Sequence, residues 1–260
     1  MNVKTLCEKI SMPEEVTKVI LSHESVMTQE LELLLSSPKT WEEGVKELRV
    51  ALGEDEYGLK SLAECILLAA KRYDAYREKG ISDEIYFATM AFCTRFTVEH
   101  RKIYGKYAFR WTWWFVRQLA MKEFRVGELE FEFTEGKIYI HIPADADMRP
   151  ASIDKTFASF RAFLETYDPK EKNTPWYCES WMLSPVLERL LPETSNVLAF
   201  QRRFEIEFVE ESMAVLDWVF PGEKELSSLS ERTSLQRNMK RFLLAGGNVG
   251  WAEGKLKSGF

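Results

Sequence analysis

The residues of this chain best suited to chemistry gather between Trp176 and Phe204. There a strand-like apolar pattern carries Cys178, Glu179 and Ser180 into Trp181, Met182 and Leu183. A thiol acts as a nucleophile when a base lies beside it, and a carboxylate set among aromatic rings such as Tyr177 and Trp181 gains proton affinity that suits a general base. The segment then meets Ser184-Pro185 and Val186, a hydroxyl at a favoured N-cap followed by proline at the first helical position. Backbone amides at such a start, together with the positive end of the helix dipole, attract an anion. Asn196, behind Ser195 at the next helix start, can donate to a carbonyl or phosphate.

Outside this stretch the main candidate is His141, on the polar side of a strand with Tyr139 and two residues before Pro143. A neutral imidazole there can take a proton, and it is the natural activator for Cys178 if their strands are neighbours. Each of these groups also has a structural reading: a satisfied histidine, a solvated strand glutamate, a buried thiol, and helix caps at Ser184 and Ser195. Gly246-Gly247-Asn248-Val249-Gly250 follows a helix end, which carries the wrong dipole for an anion, so it reads as a turn. Arg237, Lys240 and Arg241 form a basic helix face ahead of it.

The elements that must hold these groups fall into two periodicities. From Ser11 to about Lys122 the apolar spacing is helical. Ser11 with Glu14 and Thr40 with Glu43 read as capping boxes, Leu59 through Tyr73 give a wide apolar stripe, and Ser82 caps a helix running on through Phe96 and Val98. The aromatic run Tyr104 to Phe115 is read as core, on a helix bridging the two halves. Beyond Lys122 the period is two. Leu129, Phe131 and Phe133 alternate with glutamates, Glu135-Gly136 turns the chain, and Ile138, Ile140 and Ile142 alternate with Tyr139 and His141, giving a β-hairpin. A helix from Ser152, a strand over Trp176 to Leu183 and a helix over Val186 to Leu191 follow. Then come a helical turn at Asn196 to Gln201, a strand at Phe204 to Val209, helices near Met213 to Phe220 and Leu235 to Leu244, and a last strand within Val249 to Leu256. An α+β chain follows, a helical domain over residues 1–122 before a mixed-sheet domain over 123–260.

Composition narrows the function classes. The 260 residues carry 35 basic against 41 acidic side chains, a net charge of -6, which argues against a nucleic-acid backbone or an anionic membrane as main partner. No run approaches the roughly 20 apolar residues that cross a bilayer, and the amino terminus lacks a signal-peptide core, so a cytoplasmic protein is expected. Cys7, Cys65, Cys93 and Cys178 are scattered and read as reduced thiols. His23, His100 and His141 lie far apart without ligand-spaced partners, so no metal is expected.

The second half resembles the GNAT-like carboxy-terminal domain of a bacterial acyltransferase family whose first half is a separate helical domain. The resemblance rests on Arg125-Val126-Gly127-Glu128-Leu129-Glu130-Phe131, His141-Ile142-Pro143, Cys178 to Pro185, Ser195 to Gln201, Thr233 to Arg237, and Gly246-Gly247, in matching order and spacing. It implies a GNAT-like mixed sheet flanked by helices. It also implies transfer of an acyl group from acyl-CoA or acetyl-CoA to an amine-type, small-molecule acceptor. Glu179 or His141 would then deprotonate the acceptor, with Cys178 as an acyl relay in a second version. Trp181, Met182, Leu183, Ser184, Val186, Asn196 and Gln201 would contact the co-substrate, and the helical domain would shape the acceptor pocket. The Arg/Gln-x-x-Gly-x-Gly/Ala loop that holds the CoA pyrophosphate in such enzymes is not found after any strand, and the Ser184-Pro185 helix start is its best substitute. The missing loop favours the rival reading, a catalytically silent GNAT-like module that binds a small molecule or protein. Homodimerisation through an edge strand or through the aromatic segment at Tyr104 to Phe115 stays open.

Overall fold

A computed structural model describes residues 1–223 and 225–259, and the chain divides into two compact units, residues 1–126 and 127–260. The first unit holds α1 (Val3–Lys9), α2 (Glu14–Ser22), α3 (Gln29–Leu35), α4 (Trp41–Leu52), α5 (Leu59–Glu78), α6 (Asp83–Met90), α7 (Phe92–Tyr104), α8 (Thr112–Leu119) and a terminal strand, β1 (Glu123–Val126). Its axis is α5, buried along Leu62, Ala63, Cys65, Ile66, Ala69 and Ala70 and packed on α2 and α8. Each Leu or Ile so buried contributes about 1.5–3 kcal/mol. An acid also lies inside this apolar stack. Glu64 is fully buried and accepts from His23 Nε2 at 2.8 Å, Ser25 Oγ at 2.7 Å and the Val26 amide at 2.6 Å, so the connector after α2 supplies its hydrogen-bond partners.

Several sequence expectations in this unit need correction. Ser11 adopts φ 55°, and Pro13 rather than a capping box precedes α2. Thr40 does precede α4, but its hydroxyl donates to the Leu34 carbonyl, leaving no side-chain cap. Ser82 caps as expected, accepting from Ile85 N, yet its helix breaks at Ala91 into α6 and α7. The aromatic run is not one helix either. Gly105, at φ 73°, ends α7 at Tyr104, and a loop leads to α8.

The second unit runs β2 (Leu129–Phe133), β3 (Ile138–His141), α9 (Pro150–Tyr167), β4 (Trp176–Ser180), α10 (Leu187–Leu190), α11 (Asn196–Gln201), β5 (Phe204–Glu210), α12 (Val215–Val219), α13 (Ser234–Leu244) and β6 (Trp251–Leu256). Its strands lie in the order β2-β3-β4-β6-β5. The β2–β3 pair is the antiparallel hairpin the alternation predicts, with Phe131 opposite Ile140 and Phe133 opposite Ile138. β4 then adds parallel to β3 through the crossover helix α9, and β6 inserts antiparallel between β4 and β5. The face carrying Phe131, Ile138 and Trp176 meets α9, where Phe160 stacks on Phe131 at 3.6 Å between centroids and meets Trp176 edge-on at 5.0 Å. Gly127 is required at the start of this unit. Its φ is 63°, and an added Cβ would lie 2.5 Å from Thr156 Oγ1 on α9. A second apolar cluster joins Leu187, Leu190, Leu198, Val215, Phe220, Met239 and Leu243 from α10 to α13. Among the described residues, no helix is long and apolar enough to cross a membrane.

Candidate active site

Parallel strands joined by a helix place their carboxyl ends side by side, and ligands bind where such strands part. In this chain β3 and β4 pair at Ile138–Trp176, Tyr139–Tyr177 and Ile140–Cys178, and the pairing then stops. β4 runs on to Ser180 against β6, Glu179 opposite Glu253 and Ser180 opposite Ala252. Beyond Cys178 the β3 side of β4 has no strand partner among the described residues, which leaves a wedge between His141 and Glu179 where the ladder ends.

Side-chain alternation fixes what faces this wedge. Tyr139, His141, Tyr177 and Glu179 emerge on one face of the sheet, with Glu130 and Glu132 of β2 and Glu253 and Lys255 of β6 in register beside them. His141, half-buried, places Nε2 2.9 Å from a Glu132 carboxylate oxygen. A carboxylate that accepts the Nε2 proton orients the ring and selects its tautomer. Glu179 is exposed on β4, opposite Glu253 of β6. Behind it, Glu253 accepts from Lys137 Nζ at 2.7 Å and from the Tyr139 hydroxyl at 3.2 Å, while the Lys137 ammonium lies 4.0 Å from the Tyr177 ring centroid. The bond to Glu253 raises the Lys137 pKa above its ordinary value, so this cation is held charged between two strands.

Cys178 lies on the other face. It is fully buried, and desolvation, helped by the charge of Glu179, raises its pKa above the usual thiol range. Its register partner is Ile140, and His141 points to the opposite face, so the structure does not bring the expected Cys178–His141 couple together.

The segment after β4 also departs from the sequence reading. The strand ends at Ser180, whose hydroxyl accepts from Met182 N, and Trp181–Leu183 form a 3-10 turn. No helix begins at Ser184-Pro185: α10 starts at Leu187 and lasts 4 residues. Ser184 is fully buried, its hydroxyl donating to the Val249 carbonyl and accepting from Val186 N, while its own carbonyl accepts from Gln201 Nε2 at 2.7 Å. Ser184 and Gln201 thus tie three chain segments together. Met182 and Leu183 are buried, and Trp181 and Val186 pack against the second apolar cluster. Asn196 stays exposed at the first position of α11, which Ser195 caps through Val197 N.

The helix start that does follow the wedge is that of α9, which the sequence reading began at Ser152 and did not consider as an anion site; it starts at Pro150. Pro150 occupies its first turn, a start signal the sequence reading did not use. Asp147 stands before it, accepting from the Arg149 amide at 3.1 Å, from Arg149 Nη2 at 2.6 Å and from Ser152 Oγ at 2.6 Å. The Arg149 guanidinium and these hydroxyl and amide donors hold the Asp147 carboxyl below the usual carboxylate range. Lys137 and Glu253 were missed as well, because their meeting depends on β6 inserting beside β4, a pairing no local pattern encodes.

Comparison with known proteins gives the following. The profile of the GNAT-like C-terminal domain matches residues 73–256, and that of the N-acyltransferase N-terminal domain matches residues 1–121. No curated protein matches. Among solved structures, an acyltransferase in complex with decanoyl-CoA and teicoplanin superposes with a TM-score of 0.80 at 20% identity, covering 98% of this chain and 87% of that one. An acyltransferase in complex with decanoyl-CoA gives 0.72 at 17% identity, covering 98% and 99%. At such identities the likeness shows the fold.

Proposed function

This chain belongs to the GNAT-like C-terminal domain family, and we propose that it is an acyl-CoA-dependent N-acyltransferase that passes an acyl group to an amine of a small-molecule acceptor. The observation that carries this reading is the parting of β3 and β4 after Ile140 and Cys178. Its match to an N-acyltransferase N-terminal domain and the CoA ligands of the acyltransferases that share its fold support it.

The wedge fits the arm of such a co-substrate, since the unpaired side of β4 at Glu179 and Ser180 offers backbone groups to amides lying along it. Bound acyl-CoA would supply a thioester carbonyl open to attack by an amine, the C–N bond forming as the C–S bond breaks and CoA leaving as its thiol. The chain's own residues then act on the acceptor. His141 takes the proton that an incoming ammonium must lose, with Glu132 holding the ring in its tautomer. Glu179, across the wedge, holds the acceptor's positive charge before that proton leaves. Arg149 and the first turn of α9 supply the cation and dipole for a diphosphate.

The Asp147 carboxylate at that same helix start opposes an incoming phosphate, and it favours a second reading: a binding module without catalysis. Calorimetric titration with acetyl-CoA, a long-chain acyl-CoA and free CoA, with ATP as anion control, separates the two. Micromolar binding of a CoA species, with slowed hydrogen exchange over residues 138–141 and 176–180, is expected. Absence of binding at concentrations that detect a millimolar site would leave the module reading.

A further inference from the structure

A recess of about 190 Å³ lies at the other end of the sheet from the wedge. It is lined by Trp176, the first residue of β4, and by Leu256, the last residue of the antiparallel β6, with Arg161, Lys172, Asn173 and Ser258 around them. Along β4, Trp176 and Ser180 stand roughly 13 Å apart at about 3.3 Å of strand rise per residue, so the recess is separate from the proposed reaction site.

We propose that this recess binds a tetrahedral oxyanion, the phosphate group of a small molecule or phosphate itself. Arg161 carries the argument. Its guanidinium lies 4.9 Å from the Trp176 ring centroid, and that ring is fixed by edge-on contacts with Phe131, Phe157 and Phe160. A guanidinium stacked on an aromatic face keeps its N–H donors in the plane, directed past the ring edge. The fork is therefore preorganised. Arg161 and Lys172 make no ion pair among the described residues, although the whole chain is acidic at -6. Asn173 and Ser258, on two further chain segments of the lining, add neutral donors, a set that suits the several oxygens of a tetrahedral anion. The volume falls below the 300–1,000 Å³ usual for whole small-molecule sites, which suits a head group and excludes a complete nucleotide cofactor.

The test is an NMR titration of the intact protein with inorganic phosphate and, separately, glycerol phosphate, against acetate at matched ionic strength. Saturable shifts of the Trp176 indole N–H and of the amides of Asn173 and Ser258 are expected with either phosphate source, and the tighter ligand identifies the source. R161Q weakens the response about tenfold or more, and K172Q, at an exposed position, weakens it without touching the Trp176 stack. Shifts that grow linearly with concentration, that survive both substitutions, or that acetate reproduces at equal concentration overturn the proposal. Because the readout needs no CoA and no turnover, its failure leaves the acyltransferase reading untouched.

Discussion

His141 and Glu179 stand on opposite lips of one opening, each a single residue beyond the last paired couple of β3 and β4, Ile140 and Cys178. They lie 38 positions apart in sequence, and the α9 crossover makes them neighbours in register. Both side chains leave the sheet on the same face, where Tyr139 and Tyr177 precede them. A base and a carboxylate placed just beyond the last paired couple of two strands can handle one cationic group between them.

That arrangement sets the first prediction. H141Q keeps a polar side chain with an N–H donor but has no basic nitrogen to take a proton, so kcat falls about 10²- to 10⁴-fold with little change in binding of acyl-CoA. E179Q, acting on acceptor charge, raises the acceptor KM more than it lowers kcat. Steady-state kinetics against both substrates check the split, and an H141Q enzyme with unaltered kcat would remove His141 from the reaction.

The thiols should be inert in the folded protein. Cys7, Cys65, Cys93 and Cys178 are all buried, and desolvation raises every one of their pKa values, that of Cys93 to about 12. Alkylating agents at mildly alkaline pH are expected to modify none of them until denaturant is added. C178A, by the same reasoning, retains turnover and forms no acyl-enzyme in mass spectra. Rapid labelling of Cys178 in the native state would reopen its role as nucleophile.

How far the sequence reached depended on distance along the chain. The hairpin of β2 and β3, Ser82 as a cap and the strand within Val249 to Leu256 were legible because alternation and capping are written within a few residues. Ser184 was misread for a physical reason. A serine before proline carries the local signature of an N-cap, but its hydroxyl is claimed by Val249, 65 positions away, once β6 takes its place between β4 and β5. The wedge was illegible on the same grounds. Nothing in Trp176 to Leu183 says that β3 pairs with its first three residues and stops.

Ser184 is accordingly predicted to matter for stability and not for the co-substrate. Removing the hydroxyl leaves the buried Val249 carbonyl without that donor, which costs about 1–3 kcal/mol. S184A should unfold at lower urea concentration while binding CoA like the parent. A selective loss of CoA affinity at unchanged stability would return this residue to the binding site.

Asp147 gives a pH dependence with a definite sign. Its folded-state pKa is depressed, so its stabilising effect on the start of α9 is fully present above the ordinary carboxylate range and fades as pH falls through the folded value. D147N is expected to lower the melting temperature slightly at neutral pH and to match the parent in strong acid. It also removes the anion that opposes a phosphate at α9, so acyl-CoA binding should tighten. Weaker binding in D147N would mean that the hydrogen bonds Asp147 accepts from Arg149 and Ser152 outweigh its charge.

Gly254 tests how closely the inserted strand is held. It pairs with Cys178 on one side and Ile206 on the other, and an added Cβ would sit 3.1 Å from Phe204 Cβ and 3.2 Å from the Glu205 carbonyl oxygen. The Ile206 methyl at 3.0 Å can rotate away, but the Glu205 carbonyl is backbone in a paired strand and cannot. G254A must therefore push β5 outward, at a cost of about 1–3 kcal/mol for overpacking. Because β6 is also the partner that holds Glu179 and Ser180 beside the wedge, the displacement reaches the site through β4. A fall in urea midpoint accompanied by weaker acyl-CoA binding is the expected pair of results. Lost stability with unchanged binding would show that the wedge is set by β3 and α9 alone.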